Sequence, residues 1–226
     1  MHTAHPRPMN LVLLGPPGSG KGTQAQLLEE RFSLYHLGTG DLIRAVYARA
    51  GKGETFADEV KARYDGGIPQ PDHVILEMVE HELTRLHHKT GFVFDAFPLS
   101  TPQAIALEKM ITTFDMREPI AISIDVVRAE AIRRLTLRKY CPNDKIVFHP
   151  QDADYKGNHC HICGSELQHR PDDTEELAGK RYDAYIQRIL DLKAFYKERG
   201  QLLDVSGEQP IQAVFNDILH AIVPYL

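Results

Sequence analysis

The run Gly15-Pro16-Pro17-Gly18-Ser19-Gly20-Lys21 follows the apolar stretch Leu11-Val12-Leu13-Leu14 directly, and it restricts the fold more than any other feature of the chain. Neither a helix nor a strand gains from that composition, because glycine loses the most backbone entropy and proline removes a hydrogen-bond donor. The composition instead permits something to approach the backbone closely. The spacing Gly15-x4-Gly20-Lys21 matches a phosphate-binding loop, in which backbone N–H groups converge on phosphate oxygens at a helix N-terminus and the lysine adds a point charge. The general motif continues with Ser or Thr immediately after the lysine; here Gly22 intervenes before Thr23.

The rest of the chain agrees with a strand–loop–helix start. Leu11–Leu14, Tyr35–Leu37, Gly91–Phe94, Ile120–Ile124 and Leu202–Val205 read as short buried strands separated by helical patterns, which predicts βαβ units and a five-stranded parallel sheet in an α/β, three-layer phosphate-loop fold. Asp72 is expected to cap a helix carrying Val74, Ile75, Met78, Val79 and Leu83. Asp172, Asp173, Thr174, Glu175 and Glu176 are expected to cap and open a longer helix ended by Gly200, with Tyr182, Tyr185, Ile189, Leu192 and Tyr196 forming a core stripe. Two stretches break the alternation: a glycine-punctuated segment from Asp41 to Pro71, and a strand-poor, Cys/His/Asp-rich segment from Lys139 to Pro171. Both are expected to be insertions on the ligand side, at the carboxyl ends of the strands.

Composition removes several function classes. With 226 residues, 42% hydrophobic and 25% charged, the chain can bury a core. A net charge of −5 argues against a nucleic-acid or anionic-membrane surface, so an anion must be met locally. The segment Met1 to Met9 lacks the uninterrupted apolar run of a signal peptide, and a membrane helix needs about 18 apolar residues in a row, so a cytoplasmic protein is expected. Asp95 closes the run Phe92-Val93-Phe94, where a carboxylate at a strand's carboxyl end can hold Mg2+, directly or through water, beside phosphates.

These residues together resemble the adenylate kinase family of nucleoside monophosphate kinases, in its long-lid form. Gly15-Pro16-Pro17-Gly18-Ser19-Gly20-Lys21-Gly22-Thr23 is similar to its phosphate loop, Gly38-Thr39-Gly40-Asp41-Leu42-Ile43-Arg44 to its Thr-Gly-Asp-x-x-Arg segment, and Asp95-Ala96-Phe97-Pro98-Leu99-Ser100-Thr101-Pro102-Gln103 to its Asp-Gly-Phe-Pro-Arg-x-x-x-Gln stretch. Arg170-Pro171-Asp172-Asp173 with Lys180-Arg181 resembles the return from its lid. The resemblance implies transfer of the γ-phosphoryl of Mg2+-ATP to a nucleoside monophosphate, AMP first, by a monomer. It also implies a core of residues 1–40, 72–138 and 172–226, a monophosphate-binding part over 41–71 and a lid over 139–171. Carried over residue by residue, Gly15, Pro17, Gly18, Ser19, Gly20, Lys21, Gly22 and Thr23 hold the donor phosphates. Arg134, Arg138 and the backbone of Gln209 meet the donor nucleotide. Thr39 and Arg44 hold the monophosphate; Ile68, Pro69, Gln70, Ala96 and Gln103 contact its base. Arg170 and Arg181 stabilise the charge that develops in transfer from the lid side, Arg134 and Arg138 with Lys21 also meet the transferring phosphate, and Asp95 holds the Mg2+ beside it. For each arginine the alternative is a solvated surface charge.

Two positions depart from the family. Leu99 stands where an arginine normally meets the acceptor phosphate, and Ala96 replaces a glycine beside the base. A specialised kinase relying on Arg44, Arg170 and Arg181, a kinase of a different small acceptor, and a nucleotide-binding relative without transfer activity are the three readings this leaves.

Cys141-x2-Asp144 and Cys160-x2-Cys163 have the outline of a four-ligand structural Zn2+ site, a natural staple for a segment of about 30 residues with little core. His149, His159 and His161 are alternatives to Asp144 as fourth ligand, and free thiols in a lid held by polar contacts are the alternative to a metal.

Overall fold

A computed structural model describes residues 8–65, 68, 70–87, 90–144, 146–150, 155, 157–170 and 173–226. Five strands form one parallel sheet: β1 (Leu11–Leu14), β2 (Tyr35–Gly38), β3 (Phe92–Asp95), β4 (Ile120–Asp125) and β7 (Leu202–Ser206), in the order β2-β3-β1-β4-β7. Registers such as Val12 opposite Phe94 and Ala121 bring all five carboxyl ends to one edge. The central strands are buried on both faces, which is why they read as continuous apolar runs. The five-stranded parallel sheet matches the expected α/β fold.

Helices cover both faces. On one side α4 (Asp72–Leu86), α5 (Thr101–Thr113) and α7 (Glu175–Glu198) pack through Val79, Leu83, Leu107, Leu192 and Tyr196 onto Val12, Phe92 and Phe94. On the other, α1 (Lys21–Phe32) and α8 (Ile211–Ile222) pack through Ala25, Leu28, Val214 and Ile218 onto Leu11, Leu13 and Ile122. Between β2 and α4, the helices α2 (Thr39–Tyr47) and α3 (Thr55–Asp65) share a small core of Val46, Ala57, Val60, Val74 and Met78. Helix α6 (Arg128–Leu137) leads into a hairpin of β5 (Lys139–Tyr140) and β6 (Val147–Phe148), extended by bridges from Tyr140 to Gln168 and from His159 to Glu166. This segment therefore carries more strand pairing than its sequence suggested, pinned by a core of Cys141, Phe148, Cys160 and Leu167. Among the described residues no helix is long and apolar enough to cross a membrane.

Three local expectations need correction. Asp72 does not cap α4: Pro71 holds that position, and the Asp72 carboxylate accepts instead from Gln103 Nε2 at 2.7 Å and Ser100 Oγ at 3.5 Å. Asp173 does not cap α7 either; Thr174 does, accepting from the Leu177 amide, with Glu175 and Glu176 in the first turn, while Asp172 lies outside the described residues. The stripe on α7 is core only at Ile189, Leu192 and Tyr196. Tyr182 and Tyr185 are half-buried, and their hydroxyls bond the loops at the sheet's carboxyl edge.

Candidate active site

The loop between β1 and α1 curls through three glycines with left-handed or near-extended dihedrals, Gly15 (φ 155°), Gly18 (86°) and Gly20 (92°). Gly18 has a second reason to be glycine: a Cβ there would stand 2.3 Å from the Ala131 carbonyl oxygen on α6. Lys21 opens α1 and its Nζ donates to the carbonyls of Gly15 at 2.5 Å and Pro16 at 3.0 Å. Ser19 Oγ is buried and has no hydrogen-bond partner among the described residues, and the open side of the curl leads to the α1 N-terminus. A polyphosphate fits that cradle, since unpaired helix amides and a lysine are what phosphate oxygens need.

Charges converge on Lys21. Burial pushes its ammonium down to about 8, Asp95 opposes that, and Arg181 and Arg138 push it further down. Lys21 at the start of α1, Asp95 at the end of β3, Arg138 just past α6 and Arg181 on α7 therefore act on one another electrostatically. Burial acts to raise the Asp95 carboxyl, yet the His36 hydrogen bond and the Lys21 charge outweigh it and hold the group below its ordinary value. Its oxygen lies against the place a Gly22 Cβ would occupy, at 3.5 Å. An anionic carboxylate beside a phosphate loop suits Mg2+, which keeps most of its waters and takes one or two carboxylates along with substrate phosphates.

His36 is a site residue that the sequence reading passed over. Its Nε2 lies 3.4 Å from Asp95 Oδ2, both side chains being mostly buried, and although burial acts to lower its pKa, the hydrogen bond and charge of Asp95, with Glu29 and Asp41, raise it overall. The available signal was a histidine within a four-residue strand, three residues before Thr39.

The arginines carry carboxylate partners. Arg138 sits just past the end of α6 in an extended conformation and grips Asp173 with two hydrogen bonds, 2.8 and 2.6 Å; Arg181 reaches the same carboxylate at 3.5 Å. Arg134, still on the helix, pairs with Glu130 at 2.7 Å. Hydrogen bonds from Arg133 and then Arg134, against the cost of burial, hold Glu130 at about 2. Arg170 lies over the Tyr140 ring, 5.4 Å from its centroid.

On the acceptor side, buried Thr39 donates through Oγ1 to the Ala96 carbonyl at 3.0 Å, and Arg44 pairs with Asp41 at 2.6 Å. Ala96 holds φ at 57°, a conformation that glycine adopts at no cost and alanine does not, which accounts for glycine as the family's usual residue. Gln103 is clamped between the Leu99 amide, which donates to Oε1 at 2.7 Å, and Asp72. Ile68 is exposed, and Gln70 donates through Nε2 to the Val60 carbonyl at 2.9 Å; Pro69 lies outside the described residues. Leu99 brings no charge to this region. The Gln209 amide turns toward Asp217 on α8, at 2.7 Å, leaving only its backbone to meet a ligand.

In the segment after α6, the ligand atoms of Cys141, Asp144, Cys160 and Cys163 lie within 4.8 Å of one another. Cys141 Sγ is 3.4 Å from Cys163 Sγ without a disulfide, and Asp144 Oδ2 accepts from Cys160 Sγ at 3.1 Å. Tetrahedral Zn2+ with bonds of about 2.3 Å places its sulfurs about 3.8 Å apart, so the donor set and its size fit that ion. Among the described residues none of His149, His159 and His161 belongs to this group, and the His161 ring packs edge-on against Phe148.

The family model described as adenylate kinase matches residues 13–201. Among curated relatives, the adenylate kinase of Desulforamulus reducens is 37% identical over 218 residues, covering 95% of this chain and 100% of that protein. The adenylate kinase of Thermodesulfovibrio yellowstonii is 38% identical over 93% of this chain and 97% of its own length, and that of Clostridium perfringens 37% over 93% and 96%.

Proposed function

The chain belongs to the adenylate kinase family and is a nucleoside monophosphate kinase, and from that premise we propose that it transfers the γ-phosphoryl of Mg2+-ATP reversibly to AMP, giving two ADP. The observation that carries the reading is the glycine-curled loop that opens α1 at Lys21, with the Asp95 carboxylate 3.5 Å from where a Gly22 Cβ would stand. Phosphoryl transfer demands little covalent chemistry of the protein; it requires two phosphate groups brought in line, their charge neutralised and water excluded.

We assign each residue the part that the family resemblance implies. The amides around Gly18 to Thr23 and the α1 N-terminus hold the donor's β- and γ-phosphates, and Lys21 adds its charge. Asp95 would hold Mg2+, directly or through water, and the ion would neutralise phosphate charge. Thr39 and Arg44 fix the acceptor phosphate, and Ile68, Pro69, Gln70, Ala96 and Gln103 border its base. Arg134, Arg138, Arg170 and Arg181 meet the donor and the charge that builds on the transferring group. Because Leu99 gives nothing to the acceptor phosphate, Arg44, Arg170 and Arg181 share that task.

The reading extends to a division of labour in which residues 41–71 and 139–171 close over a core of 1–40, 72–138 and 172–226, with structural Zn2+ held by Cys141, Asp144, Cys160 and Cys163. It includes a cytoplasmic monomer, which suits the free cysteines. Incubation with Mg2+-ATP and each of AMP, GMP, CMP and UMP, with Lys21→Ala alongside, tests it: Lys21-dependent conversion of AMP to ADP is expected, and absence of conversion with every acceptor overturns it.

A further inference from the structure

Helix α7 does more than fill the core, because it lies along the carboxyl edges of three neighbouring strands. Tyr185 Oη accepts from the Gly15 amide at the end of β1 at 2.5 Å, Tyr182 Oη donates to the Val126 carbonyl just beyond β4 at 2.9 Å, and Lys193 bridges Asp125 at 2.9 Å and Asp204 at 2.7 Å. Of these contacts, the one from Tyr185 reaches the phosphate loop itself.

The Gly15 residue is held on both sides. Its N–H is given to Tyr185, while its carbonyl accepts from Lys21 Nζ, and that ammonium lies 5.8 Å from the centroid of the Tyr185 ring. There is no slack around it, since a Cβ on Gly15 would meet Ser19 Oγ at 2.6 Å and the Ile124 carbonyl at 2.7 Å. Tyr185 also stands one helical turn after Arg181, so the two project from the same face of α7. We propose that Tyr185 is a positioning residue for phosphoryl transfer: its hydroxyl fixes the start of the phosphate loop, and with it Lys21, against the helix that carries Arg181.

Loss of the hydroxyl leaves the Gly15 amide without its acceptor and lets the loop shift. One hydrogen bond of this kind corresponds to about three- to tenfold in an equilibrium or rate constant. Tyr185→Phe keeps the ring and its packing. Tyr182→Phe removes the other tyrosine hydroxyl from the same helix and serves as the matched comparison for any general loosening of α7.

The inference rests on the phosphate loop binding ATP, and only its kinetic arm rests on the proposed transfer to AMP. ATP dissociation constants and thermal midpoints are measured for wild type, Tyr185→Phe and Tyr182→Phe, with kcat and both KM values wherever transfer is observed. The expected result is a three- to tenfold weaker ATP complex and a lower kcat for Tyr185→Phe, an unchanged KM for AMP, and ATP binding within twofold of wild type for Tyr182→Phe. Wild-type ATP binding in folded Tyr185→Phe, or equal losses in the two variants, overturns the proposal. A Tyr185→Phe chain that does not fold also overturns it, because the hydroxyl then serves the fold as a whole. An absence of transfer in wild type itself refutes the proposed function and leaves the ATP-binding comparison decisive for Tyr185.

Discussion

Asp173 offers the sharpest test of how the arginines are held. Its side chain is 1% exposed, and it accepts two hydrogen bonds from Arg138 and one from Arg181. Asp173→Asn preserves the shape and removes the negative charge that both guanidinium groups share. Removing one partner of a buried ion pair costs about 3–5 kcal/mol. Arg138 is 14% exposed and Arg181 37%, so water recovers part of that loss, and a net destabilisation of about 2–4 kcal/mol is expected. At about 2–4 °C per kcal/mol for a chain of this length, the thermal midpoint should fall by about 5–15 °C. Saturating ATP should recover part of the fall, since its phosphates replace the missing carboxylate and it binds only the folded state. Calorimetric unfolding with and without ATP reads both effects. A midpoint within 2 °C of wild type without ligand refutes the argument that Asp173 neutralises the pair.

Leu99→Arg restores a phosphate-binding cation and should raise kcat/KM for the acceptor about tenfold, by the strength of one charge-assisted hydrogen bond; an unchanged or lower value in a folded variant that binds ATP contradicts this. Lys21, lowered by burial to about 8, is partly deprotonated at pH 8 in the free protein, and phosphate favours the charged form. ATP binding at pH 8 should therefore take up about half a proton, read by calorimetry in buffers of different ionisation enthalpy, with affinity falling as pH rises past 8. The same uptake in Lys21→Met shows another group to be responsible. The cluster at Cys141, Asp144, Cys160 and Cys163 should release one Zn2+ per chain when the thiols are blocked, and lower the thermal midpoint as it does so; protein purified without chelator that releases none rules out the metal.

The five strands of the parallel sheet were legible in the sequence to within a residue because they are short and apolar, the central ones buried on both faces, whereas the two-residue strands of the hairpin after α6 carry no such run; the phosphate loop was legible because its glycines and lysine have few other uses. Spacing grouped Asp144 with the cysteines but left His149, His159 and His161 open as the fourth ligand. What sequence pattern concealed were polar side chains with two available roles. Asp72 opens a helix and Asp173 precedes one, places where an aspartate is ordinarily a cap or a first-turn residue, yet their carboxylates reach partners 31 and 35 residues away in Gln103 and Arg138. Tyr182 and Tyr185 fit a core stripe by periodicity, which reports where a ring points and says nothing of where a hydroxyl ends. His36 pairs with a carboxylate 59 residues on, a contact that exists only once β2 and β3 align.

The central claim is that the charges gathered around the phosphate loop move a phosphoryl group to a nucleoside monophosphate even though Leu99 supplies none of them. Following ADP formation from Mg2+-ATP and AMP by wild type and Lys21→Ala tests it most directly. The account predicts conversion by wild type that falls at least a hundredfold in Lys21→Ala. Equal rates in the two proteins, or no ADP from a wild-type protein that binds ATP, would contradict it.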